Sequence, residues 1–418
     1  MNRNVWLLFM CQALVNASGI GQVSVSALIG HSLAADKALA TLPYALQMAA
    51  TMAASIPAGF LFARFGRKAG FFFGAACMLI GTITFGIGVY RADFLIYCLG
   101  ALPSGIGFGI GQHYRFAAAE VAAPQARARA LSLVMAGGVL AALFGPELVI
   151  YTKDLTPPVL FLGTYAALAL LPLSGLILLA LARLPPAPPR HASPVPFGQI
   201  IGRADFIIAV VAGLVGYGSM NLVMTSTPVQ MMLCGFGVTA STHVIGLHAL
   251  AMYGPGFFTG RLIQRFGAHR VVCAGGVLIV ACAAMSLVGS AYVDFIVALM
   301  LLGVGWNFMF VGATALLTTA HGGVERVRAQ AANDFIVFGT VTVTSFSSGA
   351  LHEHAGWVAL NATVVPAVAV AVALVLWHRA TRARLVAASP ASRGRAAARL
   401  SSASCCGWGS SSRPARRR

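Results

Sequence analysis

The chain has 418 residues, of which 58% are hydrophobic and 9% are charged. Because a soluble domain carries about 25% charged residues, this composition excludes a water-soluble globular protein and predicts a surface that mostly faces lipid. The net charge of +18 would suit nucleic-acid binding, but residues 379–418 alone hold ten arginines and no acid, so much of the charge lies in a tail.

Apolar runs long enough to cross a bilayer, about 20 residues each, recur along almost the whole chain. We predict an all-α transmembrane fold with twelve spanning helices, with eleven as the alternative count. The predicted spans are 5–30, 39–62, 69–90, 94–118, 130–151, 158–182, 204–232, 243–263, 271–290, 293–319, 332–352 and 355–378.

Lysine and arginine between the predicted spans concentrate in alternate loops. The other loops hold only Lys37, Arg91 and Lys153. This asymmetry is the positive-inside signal, so we expect both termini in the cytoplasm, an even number of spans and no nucleic-acid partner. The basic loops hold Arg64, Arg67, Lys68, Arg127, Arg129, Arg183, Arg190, Arg203, Arg265, Arg270, Arg326 and Arg328.

One loop motif occurs twice, half a chain apart. GFLFARFGRKAG covers residues 59–70, and GRLIQRFGAHR covers residues 260–270. A shift of 201 positions aligns five identities in eight positions. We therefore predict two six-helix repeats of parallel topology, an arrangement found in transporters. The predicted units are bundles 1–182 and 204–378, a cytoplasmic linker 183–203, and a disordered basic tail 379–418.

The first of these loops resembles the signature loop of the major facilitator superfamily, which runs approximately G-x-x-x-D-R-x-G-R-[RK]. Ala63 stands at the acidic position of that pattern. The acid and arginines that follow the fourth span (120–129) are also similar to the family. The matching loop positions are Gly59, Arg64, Gly66, Arg67 and Lys68. A helix-5 pattern close to the family's Gly-Pro motif adds Gly138, Ala142, Gly145 and Pro146.

The resemblance covers about residues 1–378 and implies two pseudo-symmetric six-helix bundles and secondary transport by alternating access. GWNFMFVGATALL (305–317) and ERVRAQAANDF (325–335) resemble a bacterial subgroup of permeases for which vitamins such as riboflavin are candidate substrates. Arginine outnumbers lysine by 25 to 3, which indicates a GC-rich bacterial genome and hence the inner membrane.

The missing acid bears on gating. In the family this acid is thought to hold the cytoplasmic side closed through the start of helix 11, and Ala63 cannot do so. Simple surface charges are one interpretation of the remaining ionic residues, and substitute ion pairs are the other. The candidate pairs are Glu120 with Arg64 or Arg67, and Glu325 or Asp334 with Arg265.

Helices 1, 4, 7 and 10 line the substrate cavity in the family, and polar stripes run along each of them here. Buried amides must face the bundle or a cavity, although packing between helices is the alternative for each. Arg115 would bind an anionic group in the cavity or reach the inner headgroups. The candidate substrate-binding residues are Gln12, Asn16, Gln47, Gln112, Arg115, Tyr217, Asn221, Tyr253, Trp306 and Asn307.

Acids available for proton coupling are scarce, and Glu147 and Asp334 are the candidates. No cysteine spacing indicates a disulfide or a metal site. Residues 352–354 (His-Glu-His) cannot close a tetrahedral site alone, so we expect no metal and no cofactor.

The sequence shows neither a nucleotide-binding motif nor a clustered catalytic set, which argues against an enzyme and against ATP-driven transport. We predict a monomeric secondary transporter of a small neutral or monoanionic organic solute, coupled to protons. The alternatives are an exporter of drugs or other cations, acting through Glu147, and a membrane sensor that transports nothing.

Overall fold

The structure is a computed structural model that describes residues 3–123, 127–184, 197–320 and 323–388. Within these ranges the chain forms thirteen α-helices and one short 3-10 helix, Lys37–Leu39. The helices are α1 (Arg3–Leu33), α2 (Leu42–Arg91), α3 (Phe94–Gly111), α4 (Tyr114–Val121), α5 (Arg127–Thr152), α6 (Leu162–Leu181), α7 (Phe197–Ile201), α8 (Ala204–Leu233), α9 (Val238–Tyr253), α10 (Gly256–Phe266), α11 (Ala268–Val288), α12 (Tyr292–Ala320) and α13 (Gly323–Ala388).

These helices form twelve segments that each run from one end of the bundle to the other, and each such segment is called a crossing. α2 and α13 each contain two crossings, which meet at Gly66 and Gly356. Two other crossings each consist of two helices: α3 and α4 are broken at Gln112–His113, and α9 and α10 at Gly254–Pro255. Nine described stretches are individually long and apolar enough to span a membrane, and the last of them, Ala332–Arg382, contains two crossings. The all-α, twelve-crossing prediction is confirmed.

The repeated loop motif is explained by its glycine. Gly66 has φ 81° and Gly267 has φ 85°, a left-handed conformation that glycine adopts without steric cost. In each copy the arginine lies over the neighbouring phenylalanine, with 5.4 Å from Arg64 to the Phe65 ring and 5.3 Å from Arg265 to the Phe266 ring. The same turn therefore joins the second crossing to the third and the eighth to the ninth.

Buried apolar side chains form separate clusters in the two halves. Two clusters lie within residues 5–184, and the largest lies almost entirely within residues 204–375. Smaller clusters join the halves, one between α1, α5 and α9 and one between α2 and α13. Most of the predicted linker lies outside the described residues, so its boundaries stay a prediction.

The last helix extends further than the sequence indicated. α13 continues to Ala388, beyond the expected end of the last span at residue 378. Arg382, in this extension, forms an ion pair with Asp205 at the start of α8. The first residues of the predicted disordered tail are therefore helical, and residues 389–418 lie outside the described part of the chain.

The two ends of the bundle differ in the residues that they carry. The basic end carries Arg67, Arg115 and Arg265, and the opposite end carries Thr41 and Lys153. α1, α5 and α8 run from the basic end to the opposite end, whereas α3 and α12 run the other way.

Candidate functional site

A cavity lies between the two halves, midway along the helices. The space in it that is not filled by atoms is about 670 Å³ when the part open to solvent is included. Residues of α1, α2, α3, α8 and α9 line it, and none of them is Asp, Glu, Lys or Arg. Its aromatic lining is Tyr44, Phe108, Tyr217 and Tyr253; its polar side chains also include Asn16, Gln47 and His248.

The two amides in the lining are held in place by neighbours within the first half. Gln12 Nε2 donates to Asn16 Oδ1 at 3.1 Å, which leaves the Asn16 amide hydrogens for other partners. Gln47 Nε2 donates to Gln22 Oε1 at 2.6 Å and to Ser104 Oγ at 3.2 Å. With its amide hydrogens engaged, Gln47 can offer the cavity only its oxygen.

An aromatic cluster supports the wall of the cavity. Tyr217 meets Trp306 edge-on with ring centroids 5.3 Å apart, and Trp306 stacks on Phe310 at 5.3 Å. Tyr253 also lies against Trp306, at 6.3 Å. Trp306 is therefore behind the lining tyrosines and not in the lining itself.

The structure divides the ten predicted substrate-binding residues. Asn16, Gln47, Tyr217 and Tyr253 line the cavity. Gln112 is half-buried at the break between α3 and α4. The residues placed outside the lining are Gln12, Gln112, Arg115, Asn221, Trp306 and Asn307.

Two of the midmembrane asparagines bond to neighbouring helices. Asn221 Nδ2 lies 2.7 Å from Ser345 Oγ and 3.2 Å from the Val341 carbonyl oxygen, so it ties α8 to α13. Asn307 Nδ2 donates to the Met252 carbonyl oxygen at 2.7 Å, and its Oδ1 accepts from Thr259 Oγ1 at 2.6 Å. These bonds match helix packing, which the sequence analysis gave as the alternative to substrate binding for each of these asparagines.

Arg115 faces an acid of the other half. Its Nη2 lies 3.8 Å from Asp334 Oδ2, and this pair joins α4 to α13 at the basic end. The guanidinium also lies 4.8 Å from the Phe116 ring centroid. The sequence analysis had offered Asp334 or Glu325 as the partner of Arg265. For Asp334 this is wrong, because Arg115 faces it from α4, whereas Arg265 is exposed over Phe266.

The other charged candidates occupy three kinds of position. Arg67 makes a bidentate ion pair with Glu120, one of the candidate pairs from the sequence, and this pair joins α2 to α4. Arg64 is exposed. The side chain of Glu325 lies outside the described residues. Glu147 on α5 lies 3.8 Å from His243 Nε2 on α9, between the two halves and about half exposed.

The opposite end is tightly packed where α2 meets α13. Thr41 Oγ1 donates to the Ser345 carbonyl oxygen at 2.6 Å and accepts from the Gly349 N–H at 3.1 Å. A Cβ at Gly349 would lie 2.6 Å from Thr41 Oγ1, so only glycine permits this approach. At the basic end, by contrast, α10 buries only Thr259.

Sequence reasoning missed Tyr44 and His248 in the cavity lining. Both residues lie in predicted spans where no series of polar residues shares one helix face with them. The sequence therefore indicated only an apolar span at each position. A histidine is rare enough within a membrane to have been a signal by itself.

Two bundles around an uncharged central cavity, with ionic contacts between the halves, define a multi-pass transporter. The description "Major Facilitator Superfamily" belongs to the family model that matches residues 5–336. The chain belongs to this family, whose members are transporters and not enzymes.

The relatives extend over nearly the whole chain. The "Riboflavin transporter RfnT" of Brucella anthropi is 41% identical over 371 residues, which cover 88% of this chain and 93% of the relative. The "Uncharacterized MFS-type transporter YddS" of Bacillus subtilis is 26% identical, covering 87% of this chain and 88% of the relative.

Solved structures with the same fold are more distant in sequence. An auto-inhibited POT family peptide transporter has a TM-score of 0.67 at 13% identity, covering 90% of this chain and 96% of that one. The transporter FucP, in its outward conformation, has a TM-score of 0.61 at 15% identity, covering 89% and 98%. These structures show the shared fold of two six-helix bundles.

Proposed function

We propose that this chain is a secondary transporter of a small, planar, uncharged aromatic solute of the riboflavin type. The single observation that carries the proposal is the composition of the central cavity, which joins aromatic rings to amide and imidazole groups without a charged residue. The 41% identity to a riboflavin transporter supports the same substrate class.

The lining suits a flat ring system for physical reasons. Aromatic side chains offer faces for stacking, and a small number of polar groups fix the orientation of a ligand. Methionines at positions 48, 220, 224 and 252 add polarisable, adaptable walls. A cation or phosphate would lose its hydration there without a compensating charge. This disfavours the drug-cation alternative, since Glu147 lies outside the lining.

Transport would proceed by alternating access of the two halves. The Thr41–Gly349 contact closes the opposite end, and the Arg115–Asp334 pair spans the halves at the basic end. The basic loops support a cytoplasmic location for that end, in what we propose is a bacterial inner membrane. The side chains of this ion pair are about a quarter exposed, so the pair contributes little free energy. A small contribution can still shift the balance between two conformations of similar energy.

Proton coupling would use acids that lie between the halves. Glu147 faces His243 across α5 and α9, and Asp334 faces Arg115 across α4 and α13. A proton on Asp334 would remove its attraction to Arg115, and a proton on Glu147 would change its contact with His243, so each acid can link a proton to the contact between the halves. The chain would act as a monomer, since both halves of the cavity belong to one polypeptide.

The experiment is riboflavin exchange in proteoliposomes. Purified protein is reconstituted with unlabelled riboflavin inside, and radiolabelled riboflavin is added outside without any ion gradient. We expect saturable accumulation that lumiflavin inhibits and tetraphenylphosphonium does not. Net uptake should then rise with an imposed pH gradient, and Glu147→Gln or Asp334→Asn should abolish that rise while exchange continues. Movement of tetraphenylphosphonium without riboflavin exchange would overturn the substrate class.

A further inference from the structure

His248 occupies an unusual position in the cavity lining. Its side chain is fully buried on α9, and its Nδ1 lies 2.7 Å from the carbonyl oxygen of Leu299 on α12. A carbonyl oxygen only accepts hydrogen bonds, so Nδ1 must carry the hydrogen. In a neutral imidazole the other nitrogen is then an acceptor with a free lone pair. A second proton would place a charge in a lining that holds no acid.

That acceptor has no donor of its own. Among the described residues, His248 Nε2 is buried without a hydrogen-bond partner. A buried polar atom left unpaired is unfavourable, and the fixed tautomer prevents His248 from changing into a donor. The lining residues that could donate, such as Asn16 and Tyr217, do not bond to it. The arrangement calls for a donor that comes from outside the protein.

We propose that His248 Nε2 accepts a hydrogen bond from a ring N–H at the edge of the transported solute, and so sets specificity for that group. The inference rests on the proposed function and deepens it. Rings from Tyr44, Phe108, Tyr217 and Tyr253 favour a planar solute, whose own N–H lies in the plane of its ring. The isoalloxazine ring of riboflavin carries such an imide N–H. A water molecule at this position is displaced without loss only by a solute that reproduces its bond.

Two substitutions test the roles of the two His248 nitrogens separately. Asparagine places an amide near the position of Nδ1, which keeps the donor to Leu299 and removes the acceptor. Glutamine reaches the position of Nε2, which keeps an acceptor in the cavity and gives up the bond to Leu299. A purely structural role of His248 would make His248→Asn the milder change for binding, whereas the proposed role makes it the more harmful one.

The test measures binding to purified full-length protein with matched ligand pairs. One pair is riboflavin and 3-methylriboflavin, and the other is quinazoline-2,4-dione and its 3-methyl derivative. For the unsubstituted protein we expect the N–H form of riboflavin to bind about tenfold more tightly than the methylated form, as for one buried hydrogen bond. This preference should disappear in His248→Asn and persist in His248→Gln.

The outcomes are distinguishable. Equal binding of riboflavin and 3-methylriboflavin, or a preference that survives in His248→Asn, would overturn the role of His248 and leave the riboflavin proposal in place. If riboflavin does not bind but the quinazolinedione pair shows the preference that depends on His248, the substrate proposal falls and the role of His248 stands. Failure of both pairs to bind would overturn both.

Discussion

Asn16 and Asn307 show how one residue type serves two purposes at the same depth of the bundle. Asn16 lines the cavity and keeps its amide hydrogens free of the bond to Gln12. Asn307 bonds to Met252 and Thr259, with its oxygen and its nitrogen both engaged. The two side chains should therefore respond differently to removal.

Asn307→Ala should lower the stability of the protein and leave riboflavin affinity nearly unchanged. The substitution leaves the Met252 carbonyl oxygen without this donor and leaves the Thr259 hydroxyl with only the Pro255 carbonyl oxygen as acceptor, at a cost of about 1–3 kcal/mol. Asn16→Ala is the matched variant, for which we expect weaker riboflavin binding and a smaller loss of stability. Thermal unfolding and ligand titration of both variants measure the two effects. Loss of affinity in Asn307→Ala at full stability would contradict the packing role.

Helical periodicity predicts which residues share a face, and it grouped Asn16 correctly with the cavity. It could not separate Asn16 from Asn307, because the partners of Asn307 come from a backbone carbonyl and a hydroxyl on other helices. The same limit applies to Arg115, whose partner Asp334 lies 219 positions away in the chain. Such partners depend on how the helices pack against one another, within a half for Asn307 and between the halves for Arg115, which one sequence does not specify.

At the scale of elements, α5 and α9 meet through small residues. A Cβ built at Gly138 would lie 2.6 Å from the Tyr253 ring, and one at Gly246 would lie 2.8 Å from Pro146. The sequence identified the Gly-Pro pattern of helix 5 but not the tyrosine that fills the space opposite it. The break between α9 and α10 falls inside the predicted span 243–263 and was missed, although Pro255 could have indicated it; nothing in Gln112–His113 indicated the break before α4.

Gly138→Ala should displace the Tyr253 ring into the cavity. Overpacking of this kind costs typically 1–3 kcal/mol, so we expect riboflavin affinity to fall by about tenfold while the helices stay folded. Gly175→Ala on α6 is the control, because a Cβ there meets nothing within 4 Å. Fluorescence titration with riboflavin compares the two proteins. Equal affinity in both would show that Tyr253 does not shape the binding site.

At the scale of the whole molecule, the ionic contact between Arg115 and Asp334 should control how easily the basic end opens. Arg115→Gln or Asp334→Asn should raise the open population by about fivefold, which corresponds to the ~1 kcal/mol that such a pair contributes. The exchanged pair Arg115→Asp with Asp334→Arg should restore part of the closed population. The open population is measured as the rate at which a thiol reagent labels a single cysteine introduced between this pair and the central cavity. Arg64→Gln, an exposed residue outside the contact, is the control and should leave labelling unchanged.

The central claim is that the two halves open alternately around the cavity, and a reversible lock at the opposite end tests it most directly. Thr41→Cys and Ser345→Cys are introduced together in a chain without its native cysteines, since Thr41 Oγ1 lies 2.6 Å from the Ser345 carbonyl oxygen where α2 meets α13. After oxidation we predict that the protein still binds riboflavin but no longer exchanges it across proteoliposomes, and that reduction restores exchange. The single-cysteine variants should be insensitive to oxidation. Undiminished riboflavin exchange by the oxidised double variant would contradict the account.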